Sequence, residues 1–433
     1  MALERVSIGM ALVALVVTLG FPSATAEEGP DLLKDPPATL PMYHRADELG
    51  WKEHPIRKGD GKGGWMYVPG EHQLLAGKFD AGLGIMPFGL VQMDNGDVIL
   101  AASHNDGKKE IPVLAFSKDR GDTWSDWHTV PGTGGKPGDG RPMTLTYLGK
   151  GDLFFVIYNT SLKITQRRFS HDYGRTWPEC VDVPGPAVTN EGNSLVDFDD
   201  EGNVKAVAEV VYNLRQDDGS DWNWTKPANS FFRWSYNGGR TWTPATRPEE
   251  WRWDETYEGK TYRRSVSEGA LARAKNGALV AALRTDMPAR YIARPKSDDG
   301  VEGTGVSIST DDGKTWSPLS ERIVFEAGRH HANLVMLPTG DLVMTVIVRN
   351  DISDGALASY ERGCEAVVST DNGDTWDVAG KYVLDEFKYV KADKWSDVKS
   401  GHLSSVVLDD GSVLTAYGNY LAKAAMLIRW KPQ

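Results

Sequence analysis

The residues best suited to chemistry sit where polar groups interrupt apolar stretches. Glu268 lies in Ser267-Glu268-Gly269-Ala270, just before an apolar hairpin that ends at Leu283-Arg284. Arg349 follows a second apolar hairpin, which opens with Arg329-His330-His331. His402 stands in Gly401-His402-Leu403-Ser404, Asp106 in His104-Asn105-Asp106-Gly107, and the pair Arg263-Arg264 shortly precedes Glu268. Histidine titrates near neutrality, so His402 suits general acid or base work, and His330 or His331 could orient or polarise a hydroxyl. Each residue also has a plain structural alternative. Asp106 beside Gly107 suits an ordinary turn, Glu268 suits a buried salt bridge to Arg284, and Arg263-Arg264 suit a solvated face. A histidine at the start of an apolar strand suits a hydrogen-bonded core position. No metal site and no cofactor is expected, because HExxH and EF-hand patterns are absent and the acidic stretch 197–200 has turn spacing.

The elements that position these residues follow from a repeat. The octet SxDxGxTW begins at Ser117, Ser170, Ser235, Ser309 and Ser369, with Asn237 replacing the aspartate in the third copy. Its parts form a hairpin turn: Asp or Asn accepts local backbone hydrogen bonds, Gly supplies a positive φ, and the hydroxyls close the loop. Upstream of each octet lies an apolar hairpin turning at Asn95-Gly96, Lys150-Gly151, Glu201-Gly202, Asn276-Gly277 or Thr339-Gly340, and a sixth turns at Asp410-Gly411. Five octets and six hairpins predict an all-β fold, a six-bladed β-propeller of four-stranded antiparallel blades. The last blade has no octet, and the segment 51–75 is expected to supply its closing strand. Blade-start residues face the channel of such a ring. Glu268, Arg284, Arg349, His402 and Arg141 should therefore meet in one axial funnel.

The first 26 residues read as a cleavable signal peptide, with Arg5, an apolar core over 8–21 and an Ala24-Thr25-Ala26 cleavage site. Residues 27–50 read as an irregular leader and 51–433 as the propeller. The mature chain is expected to be secreted or periplasmic with no integral membrane segment. A net charge of −12 argues against a nucleic-acid partner. Cys180 and Cys364, the two cysteines, are expected to be separate buried thiols.

The octets are Asp boxes, and five of them among six hairpin units over most of the chain resemble the sialidase (neuraminidase) superfamily. That resemblance implies three arginines around a sugar carboxylate, a tyrosine nucleophile paired with a glutamate, and an aspartate acid/base. It places Asp106 at the acid/base, Glu268 at the glutamate, and Arg284 and Arg349 at the second and third arginines; Arg264 adds charge nearby. Two positions depart from the pattern. Ile85 stands where the first arginine belongs and His402 where the tyrosine belongs, so the pocket is expected to be rebuilt for another glycan. The implied function is an exo-acting glycoside hydrolase cutting a terminal, anionic sugar. One alternative is a propeller polysaccharide lyase in which His402 or Tyr417 removes the proton α to a uronate carboxylate. Another is a non-catalytic glycan-binding propeller using some of the fifteen tryptophans, five of which belong to the boxes.

Overall fold

The computed structural model describes residues 39–40, 42–43, 55–77, 84–105, 110–130, 140–159, 164–183, 188–213, 227–293, 301–353, 356–359, 361–388 and 400–433. The expected signal peptide, most of the expected leader, Asp106, Trp222 and Trp224 lie outside these residues. None of the described helices is long and apolar enough to cross a membrane.

Six antiparallel blades form a propeller. Blade one runs Gly84–Gln92, Val98–Asn105, Glu110–Ser117 and Trp127–Thr129; blade two runs Arg141–Gly149, Asp152–Asn159, Ile164–Ser170 and Glu179–Val183. In blade three the innermost strand is split into Val188–Thr189 and Leu195–Phe198. Both pieces pair with Val204–Asn213, Asn229–Ser235 follows, and the outermost position is reduced to a single bridge between Phe232 and Thr246. Blade four comprises Val266–Arg273, Leu279–Thr285, Thr304–Ser309 and Ile323–Phe325; blade five comprises Arg329–Met336, Leu342–Val348, Glu361–Ser369 and Tyr382–Lys388. Blade six has Ser400–Val407, Val413–Asn419 and Ala424–Trp430, completed by Gly70–Gly77 from the other end of the chain. That pairing fastens the ring. The expected closing segment thus divides: Gly70–Gly77 closes blade six, while Arg57–Gly59 and Trp65–Tyr67 extend the edge of blade five.

The octets form one turn five times. In the first, the Ser117 hydroxyl donates to Asp119 Oδ1 (2.8 Å), and Gly121 N–H donates to Ser117 Oγ (2.8 Å). Thr123 gives its N–H to Asp119 Oδ1 (2.8 Å) and its hydroxyl to Oδ2 (2.5 Å). Asn237 keeps the backbone bond, accepting from Thr241 N–H at 2.9 Å, while its Nδ2 donates to the Thr241 hydroxyl at 2.8 Å. Between blades lie apolar layers. Trp234, Trp251 and Trp316 pack with Phe232 between blades three and four, so these tryptophans serve interblade packing.

The innermost strands share a device that aims side chains. Five of them slip register near their start, at Phe88, Met143, Ser267-Glu268, His331-Ala332 and His402. The third is interrupted at the corresponding place, between Thr189 and Leu195. Such bulges turn a side chain away from the strict in-out alternation of a strand. His331 and His402 sit at φ 55° and 49°, a left-handed backbone that non-glycine residues adopt at a cost of about 1 kcal/mol or more.

Candidate functional site at the channel mouth

Seven of the residues singled out in the sequence meet where the innermost strands begin. Glu268 accepts from Arg284 Nη1 at 2.6 Å, and its other oxygen lies 3.0 Å from His331 Nδ1. Because Gly269 registers opposite Leu283 in blade four, the glutamate and the arginine are neighbours by local pairing alone. Arg284 Nη2 reaches Glu302 Oε1 at 3.1 Å, and His330 Nε2 lies 4.0 Å from the second oxygen of Glu302. The His402 ring packs 4.3 Å from Phe88 and 5.0 Å, edge-on, from His331. Arg141 brings blade two into the group: its Nη2 stands 3.2 Å from Glu191 Oε1 and 3.3 Å from His402 Nε2, with Glu110 at 3.8 Å. Arg349 donates to the Ser400 carbonyl at 3.0 Å. A Cβ on Gly401 would come within 2.8 Å of Arg349 Nη2 and 2.7 Å of the Tyr420 hydroxyl, so a larger residue there would have to displace the ends of these side chains.

Burial sets the electrostatics and charges modify it. Removal from water would raise the Glu268 carboxyl, but Arg284 and His331 outweigh that and hold it well below the usual carboxylate range. Glu191 moves the other way. Burial raises it, Arg141 opposes, and the negative charge of the neighbouring Glu268 raises it further. His402 and His330 are pushed well below the usual imidazole range by burial, helped by the nearby cations. Asp286, at the end of the strand that carries Arg284, is pushed up to about 6 by burial, against the lowering effect of Ser265 N–H, Arg264 and Ala228 N–H.

Two of the expected residues stand apart. Arg264 lies on the hairpin Trp253–Tyr257 and Lys260–Arg264, where it donates to Glu255 at 2.6 Å and lies over the Trp253 ring at 4.7 Å. Tyr417 is fully buried in the layer between blades five and six, its hydroxyl donating to Asp385. It points away from the channel because it sits on the second strand of its blade without a bulge to re-aim it. Ile85 is likewise fully buried, packed between blades six and one, so apolar core fills the place of an arginine. Both cysteines are free, but Cys180 is exposed on the outermost strand of blade two rather than buried.

Glu191, Glu302, Glu110 and Tyr420 complete the group and escaped the sequence reading. A signal for the first was present: Asn190-Glu191-Gly192 echoes Ser267-Glu268-Gly269, each followed by an apolar stretch. The glycines explain the echo. A Cβ on Gly192 would lie 2.0 Å from the Gly269 carbonyl, so the two inner strands approach backbone to backbone there and bring their glutamates together.

Bulged inner strands around an axial mouth, with five octet turns at the opposite ends of the blades, define a six-bladed β-propeller. No protein-family model matches the chain and no curated protein matches it, whereas solved structures do. A protein of unknown function from Dyadobacter fermentans is similar over 81% of this chain and 96% of its own (TM-score 0.54, 17% identity). The Hadza microbial sialidase Hz136 is similar over 80% of this chain and 65% of its own (TM-score 0.52, 16% identity). The GH93 alpha-L-arabinofuranosidase of Fusarium graminearum is similar over 80% and 92% (TM-score 0.51, 13% identity). At such identities the likeness establishes the fold.

Proposed function

We propose that the protein is a glycan-cleaving enzyme, a glycoside hydrolase that acts from the channel mouth on a terminal sugar bearing an acid group. One observation carries this reading: Glu191 and Glu268, from adjacent blades, converge on His331 while Arg141 and Arg284 each grip one of them. Two neighbouring carboxyl groups whose pKa values are pushed apart can keep one proton between them, donate it to a leaving oxygen and then take one from water. Arg141 and Arg349 are the groups that face an anionic substituent, and His330 and His331 orient the carboxylates. Asp106, outside the described residues, is assigned as a further acid from its place in the sequence. The sialidase and arabinofuranosidase likenesses support a glycan as substrate.

A second reading is favoured by the place of His402 between Arg141 and its neighbour His331. In a lyase this imidazole would remove a proton α to a uronate carboxylate held by arginine. One experiment separates the readings: a panel of sialosides, arabinosides and uronic-acid oligosaccharides, assayed for reducing sugar and for ultraviolet absorbance. Hydrolysis yields reducing ends without absorbance, and lysis yields an absorbing unsaturated uronide. Turnover that persists in both Glu191→Gln and Glu268→Gln overturns the assignment of the carboxyl pair.

A further inference from the structure

Three side chains that the two readings use as acids, bases or supports also form a donor set that could hold an ion. Glu191, His331 and His402, from blades three, five and six, each offer one ligand atom, and these atoms lie within 4.8 Å of one another. All three side chains are buried. We infer that they form a binding site for a divalent transition-metal ion, zinc before the others.

Four observations carry the inference. Two imidazoles and one carboxylate are a donor set suited to zinc, leaving one position open, whereas calcium and magnesium seek cages of oxygen. His331 presents Nδ1 to Glu268 at 3.0 Å, the arrangement in which a carboxylate fixes a metal-binding histidine and leaves Nε2 for the ion. His402 has its Nε2 against Arg141, while its buried Nδ1 has no hydrogen-bond partner. Finally, both histidines hold left-handed backbone at the bulges, so a local cost is accepted to bring two rings from different blades to a centroid distance of 5.0 Å.

Arg141 explains how the donors are satisfied without the ion. Its guanidinium touches two of the three, Glu191 and His402, and its side chain is 34% exposed, so it has room to withdraw. The wider charge balance permits a cation: Glu110, Glu191, Glu268 and Glu302 face Arg141, Arg284 and Arg349. An ion seated on Glu191 and the histidines displaces Arg141 toward the mouth, where it faces the substrate. The open position of the ion then accepts an oxygen of the sugar acid. This deepens the reading of the mouth as a glycan site and rests on it for the ligand, while the binding of the ion stands by itself.

The test titrates zinc chloride into untagged, chelator-treated mature protein by calorimetry. One equivalent should bind, His331→Ala and His402→Ala should each weaken it by at least about tenfold, and Glu268→Gln should weaken it about 10–100-fold through the lost support of His331. Arg141→Gln should tighten it, which a merely structural role for Arg141 would not do. His128→Ala, which removes a buried histidine packed on Phe116 away from the cluster, should leave it unchanged. Cobalt(II) added to the unmutated protein reports nitrogen ligation in its visible spectrum, so the inference stays exposed if a histidine variant fails to fold. Absence of a one-to-one site, or affinity in His331→Ala and His402→Ala unchanged from that of the unmutated protein, overturns it. Turnover without zinc binding removes the metal alone, and zinc binding without turnover on any glycan removes the hydrolase reading alone.

Discussion

The two ends of each blade follow opposite rules. At the outer turns, five octets repeat the same hydrogen bonds between residues two to four apart, and replacing Asp by Asn at position 237 leaves the turn intact. At the channel mouth the corresponding positions of successive blades hold Phe88, Met143, Glu191, Glu268, His331 and His402, no neighbouring pair alike except the two glutamates and the two histidines. Glu191, Glu268, His331 and His402 each have a partner on another blade or lie against one. Repetition therefore builds the frame, and divergence at one position per blade builds the site. Damage at the mouth should cost activity out of proportion to stability, and damage at the turns should do the reverse.

The largest effect is expected at Glu268. Glu268→Gln keeps the shape but loses the charge gripped by Arg284 and His331, so turnover of whichever glycan the panel identifies should fall about 10²–10⁴-fold. Circular dichroism should show an unchanged fold, and kcat should fall more than KM rises. A comparable loss in Asp119→Ala would break the contrast between the two ends.

Next comes a buried carboxylate that belongs to the frame. Glu209, fully buried on the second strand of blade three, binds Arg167 at 2.6 Å and Arg233 at 2.7 Å, and accepts from Asn190, the neighbour of Glu191. Glu209→Ala strands two buried guanidiniums and should cost about 3–5 kcal/mol in urea unfolding. Loss of the Asn190 tether should lower turnover as a secondary effect.

Asp286 gives the comparison a pH dependence. Its folded pKa of about 6 lies above the usual unfolded value, so the folded state holds the proton more tightly. Its contribution is fully present below about pH 4 and is lost as pH rises through 6, a change of about 3 kcal/mol. Glu268 and Glu365 work in the other sense, their depressed values withdrawing stability as pH falls. The measurement is thus the difference between parent and Asp286→Asn at pH 4.5 and pH 7.5. The parent should lose stability relative to the variant as pH rises, and a difference independent of pH would refute the assignment.

The contrast also explains what could be read in advance. The octets and hairpins depend on contacts a few residues apart, so the blade count was legible. Glu268 and Arg284 were legible for the same reason, being register neighbours in one hairpin. Arg141 beside Glu191 is a contact between blades, fixed only when the ring closes, and Glu191 itself lay hidden because blade three breaks its inner strand there. Tyr417 was misplaced in the other direction: an aromatic near a strand end reads the same whether it faces the channel or, as here, the interblade layer. The bulges decide that, and nothing in the pattern of apolar residues marks them.

The smallest effect is expected at the turns, where it tests the rule that octets act alone. Asp119→Ala removes the acceptor for Thr123 N–H, the Thr123 hydroxyl and the Ser117 hydroxyl, much as the loss of a helix cap would. A partly solvated turn of this kind should lose about 1 kcal/mol, read from the urea midpoint at constant slope. Asn237→Asp only exchanges donor for acceptor at the Thr241 hydroxyl, and should change stability by no more than about 0.5 kcal/mol. Because turns in different blades share no partner, Asp119→Ala and Asp371→Ala should add when combined. Marked non-additivity would mean that the ring transmits strain from rim to rim, and the octets would then belong to the cooperative frame rather than to their own blades.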